Sequence, residues 1–310
     1  MRVPSSFVSI VIPAYNAAST LRGTIVSVLE QTYPDFELIV IDDGSTDDTA
    51  RIIHEFGDER IVYIHELNQE RATARNNGIA RAKGKYIAFV DADDLWLPKK
   101  LDQQVSLLEA NQGLGLVYCD VFHFDDLTGK DLFLFSKIRK LYRGKIGLHL
   151  LLKNCFIQSP TAVVPKVIFD RVGLFDPRLV PTEDWDMWLR IAALYPIDYV
   201  DRPLARYRLH KDVTSWSNPT PRLYESTCRL LDKAEQLYAG RSWQVRRMVH
   251  LKRAVSHYAY GVKLMRSRAY AEARLCFISS VKACRFYAPS YARYLESVLS
   301  QAGTGSHALP

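Results

Sequence analysis

The chain has 310 residues, 48% hydrophobic and 24% charged, with a formal net charge of +7, which is enough to bury a full core and too much for a single small module. No apolar stretch approaches a membrane-spanning length, and the opening MRVPSSFVSIVIPAYN reads as a strand rather than as a signal peptide or anchor. Cys119, Cys155, Cys228, Cys276 and Cys284 are odd in number and form no C-x-x-C pair, which argues against a disulfide framework or a zinc site and for a reducing, cytoplasmic compartment.

Residues 7–12, FVSIVI, form a near-continuous β-branched run closed by Pro13, the pattern of a strand buried on both faces of a parallel sheet. Pro13, Ala14, Tyr15 and Asn16 turn the chain, and Leu21, Ile25, Val28 and Leu29 recur at helical spacing within residues 18–31. A second strand, residues 36–41, runs into Asp42-Asp43-Gly44-Ser45-Thr46-Asp47, an acidic glycine turn that opens a helix over 48–56. Residues 61–64 read as a third strand, 71–82 as a third helix and 86–90 as a fourth strand. Such alternation predicts an α/β, doubly wound, mostly parallel sheet with helices on both faces. Ligands of such sheets lie outside the carboxyl ends of the strands, the address shared by Tyr15, Asp42 and the run that follows the fourth strand.

That run, YIAFVDADDLW over 86–96, delivers three carboxylates in four positions, Asp91, Asp93 and Asp94. Like charges so close raise one another's pKa unless a cation sits among them or water solvates them. A hard divalent metal is the economical reading. The other is an acidic turn capping the helix expected over 97–110, with Asp93 or Asp94 as N-cap.

Residues 129–165 are basic and apolar, with some helical spacing. Glu183, Asp184, Trp185 and Asp186 make a second acidic cluster ahead of an amphipathic helix, and also read as a good helix start. From Arg222 onward fifteen Lys or Arg face five acids, so this region carries +10 and the remainder of the chain −3. Gly261, Leu264, Ala273 and Phe277 fall near the spacing of one tetratricopeptide-like helix pair. The positive charge, with Tyr258, Tyr260, Tyr270, Phe286, Tyr287 and Tyr291, suits an anionic membrane surface or a polyanion. The expected division is a catalytic domain over 1–218, with halves 1–98 and 99–218, and a basic helical region over 219–310.

SIVIPAYNA, QTYPDFELIVIDDGSTDDT, NQERATARNNGIARAKGKYIAFVDADDLWLPKKL, TEDWDMWLRIA and YRLH, in this order, resemble a family 2 glycosyltransferase with the GT-A fold across about residues 7 to 215. The resemblance implies an inverting, metal-dependent transfer of a sugar from a nucleotide diphosphate, most simply a UDP-sugar, to a hydroxyl of a saccharide or lipid-linked acceptor. Peripheral membrane contact through the basic tail is expected, and no nucleic-acid partner.

By that resemblance Pro13, Ala14 and Tyr15 lie against the nucleotide base and Asp42 accepts from its edge. Arg71 and Arg75, four apart on one helix face, lie near the diphosphate or form a solvated basic face. Glu70 stands where the family usually has glycine. Asp91 and Ala92 lie on the ribose side, Asp93 ligates Mg2+ or Mn2+, and His210 reaches the metal or diphosphate. Gln158 to Thr161 lie near the donor sugar. Asp184 is the general base, with Glu183 and Trp185 on the acceptor side, Trp185 as a flat surface for a sugar ring. Lys137, Arg139, Lys140, Arg143 and Lys145 meet an acidic or lipid-linked acceptor or are simply solvated. Two other readings are open to the sequence: a sugar-phosphate nucleotidyltransferase, whose G-x-G-T-R opening this chain replaces with PAYN, and a non-catalytic scaffold that binds a partner through its tail.

Overall fold

The computed structural model describes residues 7–210, 219–238, 240 and 243–304. Contacts divide the chain into two units, Met1–Pro177 with Glu183–Lys211, and Arg178–Thr182 with Asp212–Pro310.

In the first unit, β1 (Val8–Ala14), α1 (Leu21–Leu29), β2 (Phe36–Asp42), α2 (Thr49–His54), β3 (Ile61–His65), α3 (Glu70–Arg81) and β4 (Tyr86–Phe89) alternate as the periodicity predicts. They are followed by β5 (Leu95–Trp96), α4 (Lys100–Ala110), β6 (Leu116–Asp125), β7 (Asp131–Leu134), α5 (Gly147–Leu152), β8 (Val163–Pro165), α6 (Val167–Val172), α7 (Glu183–Leu194) and β9 (Ile197–Leu209). The sheet order is β3-β2-β1-β4-β8-β6-β9-β5, with β7 on β6. The strands β3, β2, β1 and β4 are parallel, and every residue of β2 is buried, as expected of a strand covered on both faces. Beyond them β8 runs antiparallel to β4 and β6, while β9 runs parallel to β6. Parallel pairing is thus complete only in the half that ends in the acidic turns.

Strand β1 lies between β2 and β4: the chain runs outward from β1 to β2 and β3 and then crosses back to β4 on the other side of β1, a switch that favours a crevice at its carboxyl end. Helix α3 is drawn onto β1 at Gly78, where any side chain would collide with Val11. Asn76 of α3 clamps Phe175 by two reciprocal hydrogen bonds, 2.8 and 2.9 Å. The acidic turn does not cap α4: Leu95 and Trp96 form β5 against Arg206 and Ala205 of β9, and the N-cap position is Lys99. A capping role for Asp93 or Asp94 is therefore ruled out by their distance along the chain from the helix start.

Glu70 opens α3 with φ +73°, a left-handed conformation that costs an ordinary residue about 1–2 kcal/mol and glycine little. Glu70→Gly is expected to gain about 1 kcal/mol in urea unfolding, and a β-branched residue there to lose stability.

The second unit contains α8 (Pro221–Leu237), α9 (Trp243–Arg266), α10 (Tyr270–Ala283) and α11 (Pro289–Thr304). Thr220 caps α8 by accepting from Leu223 N at 3.2 Å, with Pro221 at the first helical position. Gly261 lets α9 meet the Phe277 ring of α10, and Ser280 bonds Ala254 O and Ser290 at 2.7 and 2.6 Å. Several tail aromatics are half-buried in contacts within the unit: Tyr260 stacks on Tyr224 at 4.1 Å, and Tyr258 packs on Phe277 and Tyr287. Phe286 and Tyr291 stay exposed, so the aromatic content available to a membrane is smaller than the sequence suggests. Among the described residues no helix is long and apolar enough to cross a membrane.

Candidate active site

At the carboxyl ends of β1 and β2, Ala14 pairs in register with Asp42. The turns after these strands are knitted together: Asn16 N donates to Ser45 Oγ at 2.9 Å, Thr46 N to Asn16 Oδ1 at 2.8 Å, and Ala18 N to Asp47 Oδ2 at 3.0 Å. Pro13 is half-buried, Ala14 buried and Tyr15 exposed, leaving the tyrosine ring as the open surface of this turn. Asp42, expected to face a base edge, is only 1% exposed. Its oxygens accept from Ser45 N at 2.9 Å and Tyr63 OH at 2.8 Å, and meet His65 Nδ1 at 3.3 Å. Burial works to raise its pKa, yet these hydrogen bonds outweigh it and hold the carboxylate low. Asp42 is thus a buried anchor for Tyr63 and His65, which corrects the expectation that it lies open to a base edge. Both lie on one face of β3 beside Asp42 and Val40 of β2. Their period-two spacing, with the β2–β3 register, is the signal that points to them.

Asp43 accepts from Gln69 N at 2.7 Å and so holds the entry to α3. From this helix Arg71 Nε reaches Glu183 Oε1 at 2.6 Å, Arg75 NH1 reaches the same oxygen at 2.8 Å, and Arg75 NH2 bonds Asp91 Oδ1. Two expectations are corrected here. Arg75 is buried, committed to two carboxylates and set over the Phe175 ring, so it braces the site rather than facing a diphosphate; Arg71 remains partly exposed. Glu183 is 1% exposed between the two guanidiniums. Burial raises its pKa, and Arg71 and Arg75 more than reverse that, so it is the anionic partner of the arginines rather than an acceptor contact.

Asp184 follows on the first turn of α7, half-buried, its Oδ1 accepting from Trp185 N at 2.6 Å. Burial, then the charge of Glu183, push its pKa up to about 7 against the pull of Arg71 and Arg75. A carboxyl poised there can accept a proton near neutrality. Trp185 is 0% exposed and its Nε1 donates to Leu150 O at 3.0 Å. A ring so enclosed offers no face to a sugar, so that expectation is also corrected.

After β4, Thr20 Oγ1 holds the Ala92 carbonyl at 2.9 Å. Asp93 Oδ2 lies 2.7 Å from His210 Nε2, and Asp126 Oδ2 lies 3.4 Å from His210 Nδ1. The hydrogen bond to Asp93 raises the pKa of His210. Buried Asp94 accepts from Arg208 N at 2.8 Å, while Arg208 Nε donates to the Asp93 carbonyl at 2.8 Å and NH1 to Asp126 at 3.1 Å. Burial and the charges of Asp93 and Asp91 raise the pKa of Asp94 well above the carboxylate range. Asp94 and Arg208 therefore fasten β9 to the acidic turn and bring His210, more than a hundred residues away in sequence, to Asp93. No motif or spacing in the sequence marks Arg208 or Asp126 for this role.

Among the described residues no three His, Cys, Asp or Glu side chains form a ready metal cage. Asp93 and His210, a carboxylate and an imidazole side by side at the strand end, are the side chains that would hold a divalent ion there.

The 158–161 segment is pinned from beneath. Trp188 Nε1 donates to Ile157 O at 3.1 Å, Trp96 Nε1 to Pro160 O at 2.8 Å and Gln104 Nε2 to Thr161 O at 2.8 Å, while Gln158 meets His123 at 2.8 Å.

The profile of the family described as Glycosyl transferase family 2 matches residues 9–173. An uncharacterized glycosyltransferase of Rickettsia prowazekii is 31% identical over 238 residues, 76% of this chain and 71% of that protein. The Escherichia coli UDP-Glc:alpha-D-GlcNAc-diphosphoundecaprenol beta-1,3-glucosyltransferase WfgD is 36% identical over 187 residues, 59% of this chain and 69% of its own length. Among solved structures, S. aureus TarS 1-349 in complex with UDP-GlcNAc superposes with a TM-score of 0.69 at 14% identity, covering 94% of this chain and 89% of that one. The mannosyltransferase PcManGT from Pyrobaculum calidifontis, in complex with GDP-Man and Mn2+, gives 0.60 at 19% identity over 94% of this chain and 84% of that one.

Proposed function

The chain belongs to glycosyl transferase family 2, has the GT-A fold and is a glycosyltransferase, and from the geometry of its acidic cleft we propose that it inverts the anomeric centre of a UDP-sugar in transfer to a hydroxyl of a lipid-linked saccharide. The observation that carries this reading is the continuous ion-pair network Asp91–Arg75–Glu183–Arg71, which ties the acidic turn after β4 to the helix start bearing Asp184.

In this mechanism Tyr15 and His65 flank the nucleotide base, and Arg71 meets the diphosphate. Asp184 takes the proton of the acceptor hydroxyl as its oxygen bonds to the anomeric carbon from the face opposite the leaving group. The bond from that carbon to the diphosphate oxygen breaks, and the nucleoside diphosphate leaves with the electron pair. Mg2+ or Mn2+, held by Asp93 and His210, would supply positive charge to the leaving diphosphate. Asp91 stays paired with Arg75 and borders the ribose. The name of the E. coli relative supports UDP-glucose as donor and a diphosphate-linked lipid as acceptor. The +10 helical region supports peripheral attachment at the cytoplasmic face of an anionic membrane.

Calorimetry with a panel of nucleotide sugars, with and without Mn2+, tests the reading. A UDP-sugar should bind, and more tightly with the metal; Asp93→Ala should abolish the metal-dependent increment while leaving the melting temperature near wild type. No binding to any nucleotide sugar under either condition would sink the proposal.

A further inference from the structure

From Leu132 to Phe169 the chain contains no acidic residue and seven Lys or Arg. Six of these, Lys137, Arg139, Lys140, Arg143, Lys145 and Lys153, are exposed, and of them Arg143 is paired with Asp198 at 3.4 Å. Ile138 and Leu148 stand among them, 59% and 36% exposed. The pieces are joined: Arg139 NH1 donates to the Lys153 carbonyl at 3.5 Å, and Tyr142, with Lys140 5.5 Å over its ring, stacks on His149 of α5 at 4.1 Å. The opposite side of α5 is buried at Leu150 and Leu151, and the Leu150 carbonyl takes the indole N–H of Trp185, the residue after Asp184.

We infer that this surface, carried by the catalytic unit itself and distinct from the basic tail, seats the protein on an anionic bilayer. The inference rests on the reading of the chain as a transferase for a lipid-linked acceptor. Clustered cations of which Arg143 alone is paired with an acid among the described residues match a layer of lipid phosphates, and exposed aliphatic side chains between them are the part that enters the acyl boundary. A soluble polyanion would satisfy the charges and leave Ile138 and Leu148 in water. The buried side of α5 is bonded to Trp185, the residue after Asp184, so the surface lies on the helix that packs beside the base and would bring a sugar carried by a membrane-held diphosphate to that side of the site.

The test is sedimentation of the full chain with vesicles of phosphatidylglycerol in phosphatidylcholine, against phosphatidylcholine alone. Each surface cation contributes about fivefold in binding, so K137Q/R139Q/K140Q should weaken attachment on the order of 100-fold at low salt. Ile138→Asp should weaken it several-fold even at matched ionic strength. Both variants should melt and bind UDP-sugar as wild type does, which separates this inference from the enzymatic reading: loss of nucleotide-sugar binding in the wild type condemns the latter whatever the vesicles show. The inference is overturned if the triple variant sediments like wild type, if wild type ignores phosphatidylglycerol, or if only a soluble polyanion such as heparin is bound.

Discussion

Asp184→Asn is expected to slow transfer by roughly 10²- to 10⁴-fold, the range for loss of general base catalysis, while UDP-sugar affinity stays near wild type. The substitution keeps the shape of the side chain and removes the proton acceptor. A mere helix cap predicts full turnover, because Asn caps about as well as Asp. A purely electrostatic role predicts altered donor affinity together with rate. The pH profile adds an independent readout. With a pKa of about 7, the base becomes competent as pH rises through neutrality, so the wild-type rate should climb there and the residual rate of the variant should not. Stability moves the other way. A carboxyl whose pKa is raised by folding binds its proton more tightly in the native state, so wild-type stability falls as pH rises from the ordinary carboxylate range to about 7. The Asn variant lacks that fall and should melt higher than wild type above neutrality. Unchanged turnover would eliminate Asp184 as the base.

Arg75→Met should cost about 3–5 kcal/mol, because it strands the buried Glu183 carboxylate with one partner and Asp91 with none of its present ones. For a unit of this size that is a fall of roughly 10 °C in melting temperature. Arg75→Lys should recover only part, since one ammonium does not span two carboxylates as the guanidinium fork does. Arg71→Met makes the contrast: its side chain is 46% exposed, so the melting temperature should change by a few degrees while UDP affinity drops about tenfold, the loss of one charge-assisted contact. Equal effects of the two substitutions on melting would refute the division into brace and ligand.

The sequence by itself determined the order of strands and helices through the parallel half, because short β-branched runs and 3.6-residue spacing are local properties. It also determined which residues stand at strand ends: Tyr15, Asp42, Asp91 and Asp93 are where the punctuation by Pro and Gly puts them. The family match, resting on several blocks in order, was legible for the same reason. What each side chain faces was decided by tertiary structure alone. Arg71 and Arg75 share a helix face, yet one is partly exposed and the other is closed in by Asp91 and Phe175. Trp185 and Asp184 are neighbours, yet the indole is spent on the Leu150 carbonyl. Asp42 is turned inward by Tyr63 and His65 of the next parallel strand, a register no single strand encodes. His210 reaches Asp93 because β5 and Arg208 lash β9 to the acidic turn. In each case the deciding interaction joins residues far apart in the chain, and its energy depends on burial and partner geometry, which composition and spacing do not carry.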